Sequence, residues 1–433
     1  MMKENESPTA LIINFHSTKN AGDLSLLITA IDILSEALGT PTIIVSANWP
    51  DEDAYQKFGI EIVPSFWSLA GVNRDKSVLR QIIKMIWNYI RIALAPRALN
   101  DQESFMDQAD WQKLRSAYQQ ADLIVGVSGN QFYSTGKYGW PFPASMCSVA
   151  LAHVFKKPLY ILPQSIGPLK RWWERALIKK YYGKARKVFL RDSVSMQLVK
   201  DLVLPENVIE YSPDPAFSLN PQSKQYALEI LEKYGFSVDK PALGITLIAP
   251  MGRSLISSQV DNYYSVVTAG LEKFLMAYNA QVIIFNQVSG PTQGENDSHY
   301  SQRICQALQA KSLDIIHVNE QLDPRTLKAC YGLMNAFIAS RLHSGIFSLS
   351  MQVPTLFIGY LSKTKGVLTA CGLEENLIEI KNLTLDLLWE KLEILWQDQE
   401  QNKQKIQAVL PQILSETTRP QCFIREDYLN VTE

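Results

Sequence analysis

Residues Asn335 to Lys363 read NAFIASRLHSGIFSLSMQVPTLFIGYLSK and give the clearest indication of the fold class. It contains two apolar runs, residues 336–339 and 354–358, and the segment between them has a helical pattern. Short apolar runs that flank a helix are typical of parallel strands joined by a crossover connection. We therefore predict a strand, a loop, a helix and a second strand, with polar side chains at the carboxyl end of each strand.

Three side chains in this stretch can bind or protonate a small anion. Ligands bind at the carboxyl edge of an open α/β sheet. Arg341 offers a planar fork for a carboxylate or phosphate, and Lys363 offers a point charge. The imidazole of His343 can transfer a proton near neutral pH. These residues predict a site for an anion that needs a proton, and a histidine that only satisfies a helix cap is the alternative for His343.

The composition excludes several classes of protein. A chain of 433 residues that is 46% hydrophobic is expected to form two or three domains, with two preferred. Its net charge of -1 gives no indication of nucleic acid binding. The five cysteines are scattered and lack a CxxC pair, which argues against a disulfide framework and a zinc site. Because we find no leader and no apolar run of ~18 residues, we expect a cytoplasmic protein. We also expect no metal site and no bound cofactor.

Apolar runs and helical patterns alternate along the whole chain, which indicates an α/β fold with parallel sheets. A polar, proline-bearing segment separates two series of such runs. We predict two Rossmann-like lobes around a central cleft: an N-terminal lobe over 1–225, a C-terminal lobe over 240–400 and a helical tail over 401–433. The predicted strands are residues 10–14, 42–46, 123–127, 159–162, 188–191, 242–248, 281–286, 315–318, 336–339 and 355–358.

Three glycine-bearing turns follow predicted strands in the first lobe. In the first, Gly22 and Asp23 are expected at a helix N-terminus, where backbone N–H groups and the helix dipole favour an anion. A simple helix cap by Asp23 is the alternative. In the other two turns, small residues would let a ligand approach the backbone. Ordinary turn chemistry is the better explanation of each turn taken alone, but their common placement at strand ends favours a ligand site. Their candidate ligand contacts are Ser128, Gly129, Asn130, Gln164, Ser165 and Gly167.

Three further polar residues lie near predicted strand ends. Arg191 closes one strand, where it would either form an internal salt bridge or face the cleft. Asp214 lies in a turn bounded by prolines and could cap a helix, act in a hinge or face the cleft. His16 follows the first strand and is a weaker candidate for a residue that faces the cleft.

Taken in order, these motifs resemble the polysaccharide pyruvyl transferase family. The resemblance spans residues 14–363 and includes one departure: Ser128-Gly129-Asn130 stands where the family usually has a glycine-rich triplet. The motifs that carry it are Asn20-Ala21-Gly22-Asp23, Gln164-Ser165-Ile166-Gly167-Pro168, Arg191-Asp192 with Ser195, Pro213-Asp214-Pro215-Ala216-Phe217, and Arg341-Leu342-His343 with Pro354, Tyr360 and Lys363.

The resemblance implies a GT-B-like fold and a specific transfer reaction. Family members move the enolpyruvyl unit of phosphoenolpyruvate onto two hydroxyls of a sugar in a surface polysaccharide or its lipid-linked precursor. A cyclic pyruvate ketal forms and phosphate is released. In this reading His343 donates a proton, Arg341 stabilises the carboxylate or phosphate, and Lys363 binds the anion, while the remaining candidate residues contact substrate. Two alternatives remain: a nucleotide-sugar glycosyltransferase of the same fold, and a non-catalytic glycan-binding relative.

Two basic, aromatic segments suggest where such a protein could work. The first covers residues 80–97, and the second, residues 170–187, has eight basic residues against one glutamate. Helices of this composition can lie on an anionic membrane surface, where a lipid-linked glycan would be presented. A solvated charged face is the alternative. Peripheral contact with the inner face of a membrane is therefore an expectation from sequence.

Overall fold

The chain divides into two α/β units. A computed structural model of the chain describes residues 7–50, 55, 58–71, 77–94, 108–134, 137–249, 257–359 and 362–432. Unit 1 comprises Met1–Thr18, Leu26–Asp214 and Thr417–Glu433, and unit 2 comprises Lys19–Ser25 and Pro215–Glu416. These bounds differ from the ranges 1–225, 240–400 and 401–433 proposed from sequence.

Unit 1 is built on a parallel sheet. Among the residues described, its strand order is β3-β2-β1-β4-β6-β7-β8, and β5 pairs with β6. The central strands are almost wholly buried, as expected for a sheet covered by helices on both faces. The strands are β1 (Thr9–Phe15), β2 (Thr42–Ala47), β3 (Glu61–Pro64), β4 (Leu123–Gly126), β5 (Gly129–Phe132), β6 (Leu159–Ile166), β7 (Lys187–Leu190) and β8 (Ile209–Tyr211).

Unit 2 contains a second parallel sheet. In the part of the chain that the structure describes, its strand order is β11-β10-β9-β12-β13-β14. Its core is mostly aliphatic, with Tyr263 and Phe274 among its buried residues. The strands are β9 (Ala242–Thr246), β10 (Gln281–Phe285), β11 (Ile315–Val318), β12 (Ala336–Ala339), β13 (Thr355–Gly359) and β14 (Leu377–Glu379).

Helices connect the strands in both units. Those that precede residue 215 are α1 (Ala21–Leu38), α2 (Phe66–Leu69), α3 (Val78–Leu94), α4 (Gln108–Gln120), α5 (Phe142–Val154), α6 (Trp172–Tyr182) and α7 (Ser193–Asp201). Those of unit 2 are α8 (Lys224–Glu232), α9 (Ser257–Ala277), α10 (Ser298–Gln309), α11 (Pro324–Tyr331), α12 (Leu342–Ser350), α13 (Ser362–Cys371), α14 (Leu385–Gln397) and α15 (Gln399–Glu416).

The last helix, α16 (Arg419–Thr432), belongs to unit 1. Its Phe423 ring makes edge contacts with Tyr160 of β6 and Phe189 of β7. Asp427 accepts hydrogen bonds from the Arg186 guanidinium at 2.9 and 2.7 Å. Helix α16 is therefore part of the packing around this sheet.

The α/β class and the predicted strands are confirmed, but two predicted turns are wrong. Strand β6 continues through Gln164 and Ser165 to Ile166, and residues 129–132 form strand β5. The reason is that β5 pairs in parallel with β6, with Gly129 opposite Gln164, so both segments are extended. Prediction from local pattern also missed β3, β8 and β14, which are only three or four residues long.

Each sheet has a point at which its strand order reverses. In unit 1 this point lies between β1 and β4, and in unit 2 it lies between β9 and β12. Loops that leave adjacent strands in opposite directions create a crevice there, so this is where open α/β sheets bind ligands. His16 and Ser128 follow the two strands at the reversal in unit 1, whereas Arg341 and His343 follow β12 at the reversal in unit 2.

Candidate functional site

His343 lies in the first turn of α12, directly after strand β12. This turn is fixed from two sides. The Tyr263 hydroxyl donates to Ser340 Oγ over 2.7 Å, and the Ser344 and Thr246 hydroxyls are 2.6 Å apart. The backbone N–H groups of a helix N-terminus favour a bound anion. The half-buried imidazole therefore lies on a rigid element that is suited to a negatively charged ligand.

Gly22 in the first turn of α1 allows the close approach of His343. A β-carbon at position 22 would lie 2.3 Å from His343 Nδ1, far inside van der Waals contact. The loop before α1 also joins the strand-end region of unit 2, since Ala21 N donates to the Gln287 carbonyl over 3.0 Å. Glycine at position 22 is required for this arrangement because any side chain would displace the ring.

The backbone amides of Gly22 and Asp23, predicted to contact an anion, bond to Asn20 instead. Asn20 caps α1: its Oδ1 accepts from the amides of Gly22 at 3.0 Å and Asp23 at 3.4 Å. Asp23 in turn accepts from Asn20 Nδ2 at 2.8 Å. The amide of Leu24 donates to the Asn20 carbonyl. Because these amides have partners within the chain, the geometry gives Gly22 a steric role, while Asp23 holds the side chain of the capping residue, Asn20.

Arg341 forms a buried ion pair with Asp297. Arg341 Nε donates to Asp297 Oδ2 over 3.1 Å, and Nη2 contacts Oδ1 of the same carboxylate. Asp297 also accepts from the backbone N–H groups of Ala249, at 2.9 Å, and Val288, at 3.2 Å. The guanidinium thus supports the loops around His343 instead of presenting a simple open fork to a ligand. Asp297 was missed in the sequence because it lies 44 residues from its partner.

Gln287 is a second residue that the sequence did not reveal. It follows β10, and its side chain is 3% exposed. The Tyr331 hydroxyl donates to Gln287 Oε1 over 2.7 Å. Gln287 Nε2 has no hydrogen-bond partner within the described residues, although it is buried. A buried N–H without an acceptor is costly, so this amide is suited to an oxygen of a bound ligand.

Lys363 lies in the first turn of α13, after strand β13. Strand β13 is the neighbour of β12, so Lys363 and His343 follow adjacent strands of one sheet. The Lys363 side chain is half-buried. Tyr360, which also belongs to the family motif, lies outside the described residues.

In unit 1, Arg191 forms an internal salt bridge, which answers the question left open by the sequence. Its Nη1 lies 2.5 Å from Asp214 Oδ2, and both side chains are buried. Arg191 Nε donates to Ser165 Oγ over 2.9 Å. Ser195 Oγ accepts from Ile166 N over 2.8 Å, which fixes the same strand end. These residues of the family motifs therefore build the support for the end of β6.

A group of buried oxygen atoms lies where β4, β5 and β6 meet. Gln164 Nε2 donates to the Val127 carbonyl over 2.5 Å, and Gln131 Nε2 donates to the Ser128 carbonyl over 3.3 Å. These bonds define the orientation of both amides. In the described part of the chain, four buried oxygens of this group have no hydrogen-bond partner: Ser128 Oγ, Asn130 Oδ1, Gln131 Oε1 and Gln164 Oε1.

Gly129 makes this group of oxygens possible. Its φ of +141° lies where side chains are disfavoured. A β-carbon there would also lie 2.6 Å from Gln131 Nε2. Three of the four oxygens are amide carbonyl oxygens, which only accept hydrogen bonds, so a ligand that satisfies them must supply donors. Hydroxyl groups of a sugar are such donors.

The two remaining predicted contacts have local roles in unit 1. Gly167 follows β6 with a φ of +99° and donates its N–H to the Phe132 carbonyl over 2.8 Å, which terminates the β5–β6 pair. His16 follows β1, is half-buried and has Nδ1 3.4 Å from Asn48 Nδ2. Neither geometry identifies a ligand. No group of three or more metal-binding side chains is found among the described residues.

Lys328 on α11 supports the family motif around Pro215. Its Nζ donates to the carbonyls of Phe217, at 2.8 Å, and Ala216, at 3.4 Å. Burial lowers the pKa of Lys328 to about 7 from its ordinary value of 10.5. The folded protein therefore binds fewer protons than the unfolded chain between these two pH values.

This difference predicts a stability that depends on pH. Between pH 7 and 10.5 the free energy of unfolding should rise with pH, by up to about 1.4 kcal/mol per unit. Lys328→Met should remove this contribution. Urea unfolding of both proteins across this pH range measures the difference between their slopes, and parallel pH profiles would contradict the prediction.

A family comparison agrees with the motifs on both units. The polysaccharide pyruvyl transferase model matches residues 20–362. The chain belongs to the polysaccharide pyruvyl transferase family. Its matched range contains the Asn20 cap, the β5–β6 group of oxygens, the Arg191–Asp214 pair and the His343 turn.

Curated and solved relatives extend this comparison. The amylovoran biosynthesis protein AmsJ of Erwinia amylovora is 20% identical over 407 residues, covering 93% of this chain and 95% of AmsJ. UDP-GlcNAc 2-epimerase from Neisseria meningitidis superimposes with a TM-score of 0.60 at 10% identity, over 98% of this chain and 100% of the epimerase. Anabaena HepE, solved with UDP-glucose, gives a TM-score of 0.54 at 11% identity, over 98% and 99%. The structures show a GT-B-like fold, while the family and AmsJ support a role in polysaccharide biosynthesis.

Proposed function

We propose that this protein transfers the enolpyruvyl unit of phosphoenolpyruvate to a sugar of a surface polysaccharide or its lipid-linked precursor. The observation that carries the proposal is the placement of His343 in the first turn of α12, against Gly22 and at the strand reversal of unit 2. This places a group able to transfer protons beside an anion-favouring helix N-terminus. Phosphoenolpyruvate is an anion whose reaction requires a proton on carbon.

The reaction balances with His343 as the proton donor. His343 protonates C3, the methylene carbon, as the first sugar hydroxyl forms a bond to C2 and loses its proton. The bond from C2 to the phosphate oxygen then breaks, and a second hydroxyl forms the other C–O bond of the ketal. One of the two hydroxyl protons returns to His343 and replaces the proton that C3 received, and the other leaves with phosphate. General acid catalysis of this kind contributes about 100- to 10,000-fold to a rate.

Unit 2 offers distinct groups for the negative charges of phosphoenolpyruvate. Lys363 follows the strand next to that of His343 and supplies a positive charge. Gln287 Nε2 is a buried donor suited to a carboxylate or phosphate oxygen. Arg341 acts as a positioning residue, since its pair with Asp297 fixes the turn that carries His343.

The acceptor sugar is proposed to bind unit 1. The buried oxygens at the ends of β4, β5 and β6 need hydrogen-bond donors, and sugar hydroxyls supply them. The departure at Ser128-Gly129-Asn130 lies within this group. A changed sugar preference is therefore a better account of that departure than a loss of catalysis.

Gln131→Met should weaken acceptor recognition specifically. The substitution removes one oxygen of the group, so the KM for the acceptor should rise about 3- to 10-fold, the value of one hydrogen bond, while the KM for phosphoenolpyruvate stays constant. Steady-state kinetics with each substrate varied measures both constants. Gln309→Met is the matched control, since it removes a part-buried amide that bonds the Ile315 carbonyl in unit 2. Equal rises in both KM values would contradict the assignment.

Transfer in deuterium oxide tests the proposed reaction. The protein is incubated with phosphoenolpyruvate and extracted lipid-linked oligosaccharides of the source organism, and the glycan is analysed by mass spectrometry and NMR. We expect the glycan to gain the mass of pyruvic acid less one water, with one deuterium in the new methyl group because C3 takes its proton from an exchangeable group. Transfer of a hexose from a UDP-sugar under matched conditions, without pyruvylation, would favour a glycosyltransferase instead.

A further inference from the structure

Helix α3 of unit 1 carries an exposed apolar face. Its large apolar side chains are spaced by four, three, one and three positions, which places them on one side of the helix. An apolar patch of this kind marks an interaction surface. The exposed fractions of these side chains are 58% for Leu79, 59% for Ile83, 50% for Ile86, 59% for Trp87 and 42% for Ile90.

The opposite face of α3 is anchored to unit 1. Gln81, Met85 and Asn88 are buried there. Asn88 Nδ2 donates to the Leu69 carbonyl over 3.4 Å. The apolar face is therefore presented outward by a helix whose other side is packed.

The charged residues that α3 itself carries are all basic. Residues 78–94 contain no Asp or Glu, and Arg80 and Lys84 are one and five positions after Leu79. The neighbouring helix α6 exposes basic side chains and the Trp172 ring, which is 81% exposed. Its one acid, Glu174, is buried and bonded to Arg171. The exposed basic residues of α6 are Arg175, Lys179 and Lys180.

Helices α3 and α6 are neighbours in unit 1. Tyr89 on α3 and Tyr181 on α6 pack against the same hydrophobic core of unit 1. Both helices also pack on α5, within the same hydrophobic core. The apolar face of α3 and the basic face of α6 therefore belong to one region, which we call the α3–α6 surface.

We propose that the α3–α6 surface binds an anionic lipid bilayer. Helix α3 would lie in the interface with its apolar face among the acyl chains and Trp87 at headgroup level, while Arg175, Lys179 and Lys180 contact acidic headgroups. None of the described helices is long and apolar enough to cross a membrane. The proposal is independent of the pyruvyl transfer chemistry.

Charge favours a bilayer over a second copy of the chain. A twofold dimer through this surface would place the basic residues of two α6 helices close to one another. Like charges across an interface are unfavourable. The chain as a whole has a net charge of -1, so the positive charge is a local feature of this surface.

Vesicle flotation of the full chain tests the proposal. The native protein should float with vesicles of phosphatidylglycerol and phosphatidylcholine and stay in solution with phosphatidylcholine alone. Ile83→Gln with Trp87→Gln should weaken binding at least about tenfold, because two apolar side chains no longer enter the interface. Met276→Gln with Val238→Gln is the matched control, since both residues are exposed apolar side chains of unit 2.

A charge variant keeps the test decisive if the apolar variant folds poorly. Arg175→Glu with Lys179→Glu should abolish the preference for anionic vesicles while thermal unfolding stays native. Native protein that does not float with anionic vesicles would overturn the proposal. A dimer that is seen by sedimentation and dissociates in the Ile83→Gln, Trp87→Gln variant would also overturn it. Capture of an acidic protein in place of lipid would do the same.

Discussion

Replacing His343 with Gln should lower kcat for pyruvyl transfer by about 100- to 10,000-fold, the range for loss of a general acid. Glutamine approximates the size of the imidazole, but it cannot donate a proton to carbon as an acid near neutral pH. Binding of phosphoenolpyruvate should persist because Lys363 and the N-terminus of α12 are unchanged. Steady-state kinetics gives kcat, and calorimetric titration with phosphoenolpyruvate gives the affinity.

A second histidine of unit 2 supplies the control for this result. His317 Nε2 lies 3.1 Å from Asn286 Oδ1, and burial lowers the pKa of His317 to about 4. The His317 ring is therefore neutral at the pH of the assay, and His317→Gln should leave kcat unchanged. Retention of native kcat by His343→Gln would exclude the proposed proton donor.

Gly22→Ala should lower kcat by about 100-fold although the substitution adds one methyl group and no charge. The new β-carbon would lie 2.3 Å from His343 Nδ1, so the ring must move away from its position. A displacement of about 1 Å at a reacting group can cost a factor of this size. The kcat of the purified variant, with circular dichroism as a check of folding, measures the effect.

Two further variants separate displacement of His343 from general damage. Gly270→Ala creates a similar overlap in α9, 2.7 Å from Leu388 Cδ2, and should change stability without changing kcat. In a His343→Ala background the imidazole is absent, so Gly22→Ala should have little further effect on kcat. Additive losses in the double variant would show that Gly22 acts by another route.

Strands with strong local patterns could be predicted from the sequence. The runs that form β9 to β13 are apolar, four or five residues long and separated by helical patterns, and each lies where the pattern predicted it. Strand β5 could not be predicted in this way. Its sequence, GNQF, contains a glycine and two amides, and it is extended because it pairs with β6.

The candidate site was also predicted only where local sequence pattern determines it. The position of His343 at a strand end followed from the spacing of apolar runs. The ion pair of Arg341 could not be predicted, because it depends on a tertiary contact with Asp297. The bonding of the Gly22 and Asp23 amides could not be predicted either, because it depends on Asn20 being the helix cap. Gln131 and Gln287 were missed for a related reason: only their burial without a full set of partners distinguishes them from ordinary glutamines.

Calorimetric titration of the native protein with phosphoenolpyruvate, in parallel with UDP-glucose and UDP-GlcNAc, distinguishes a phosphoenolpyruvate site from a nucleotide-sugar site. It needs no knowledge of the acceptor sugar. We predict saturable binding of phosphoenolpyruvate that weakens in Lys363→Met and persists in His343→Gln, with no saturable binding of either UDP-sugar. Saturable binding of a UDP-sugar, with no heat from phosphoenolpyruvate, would contradict the account.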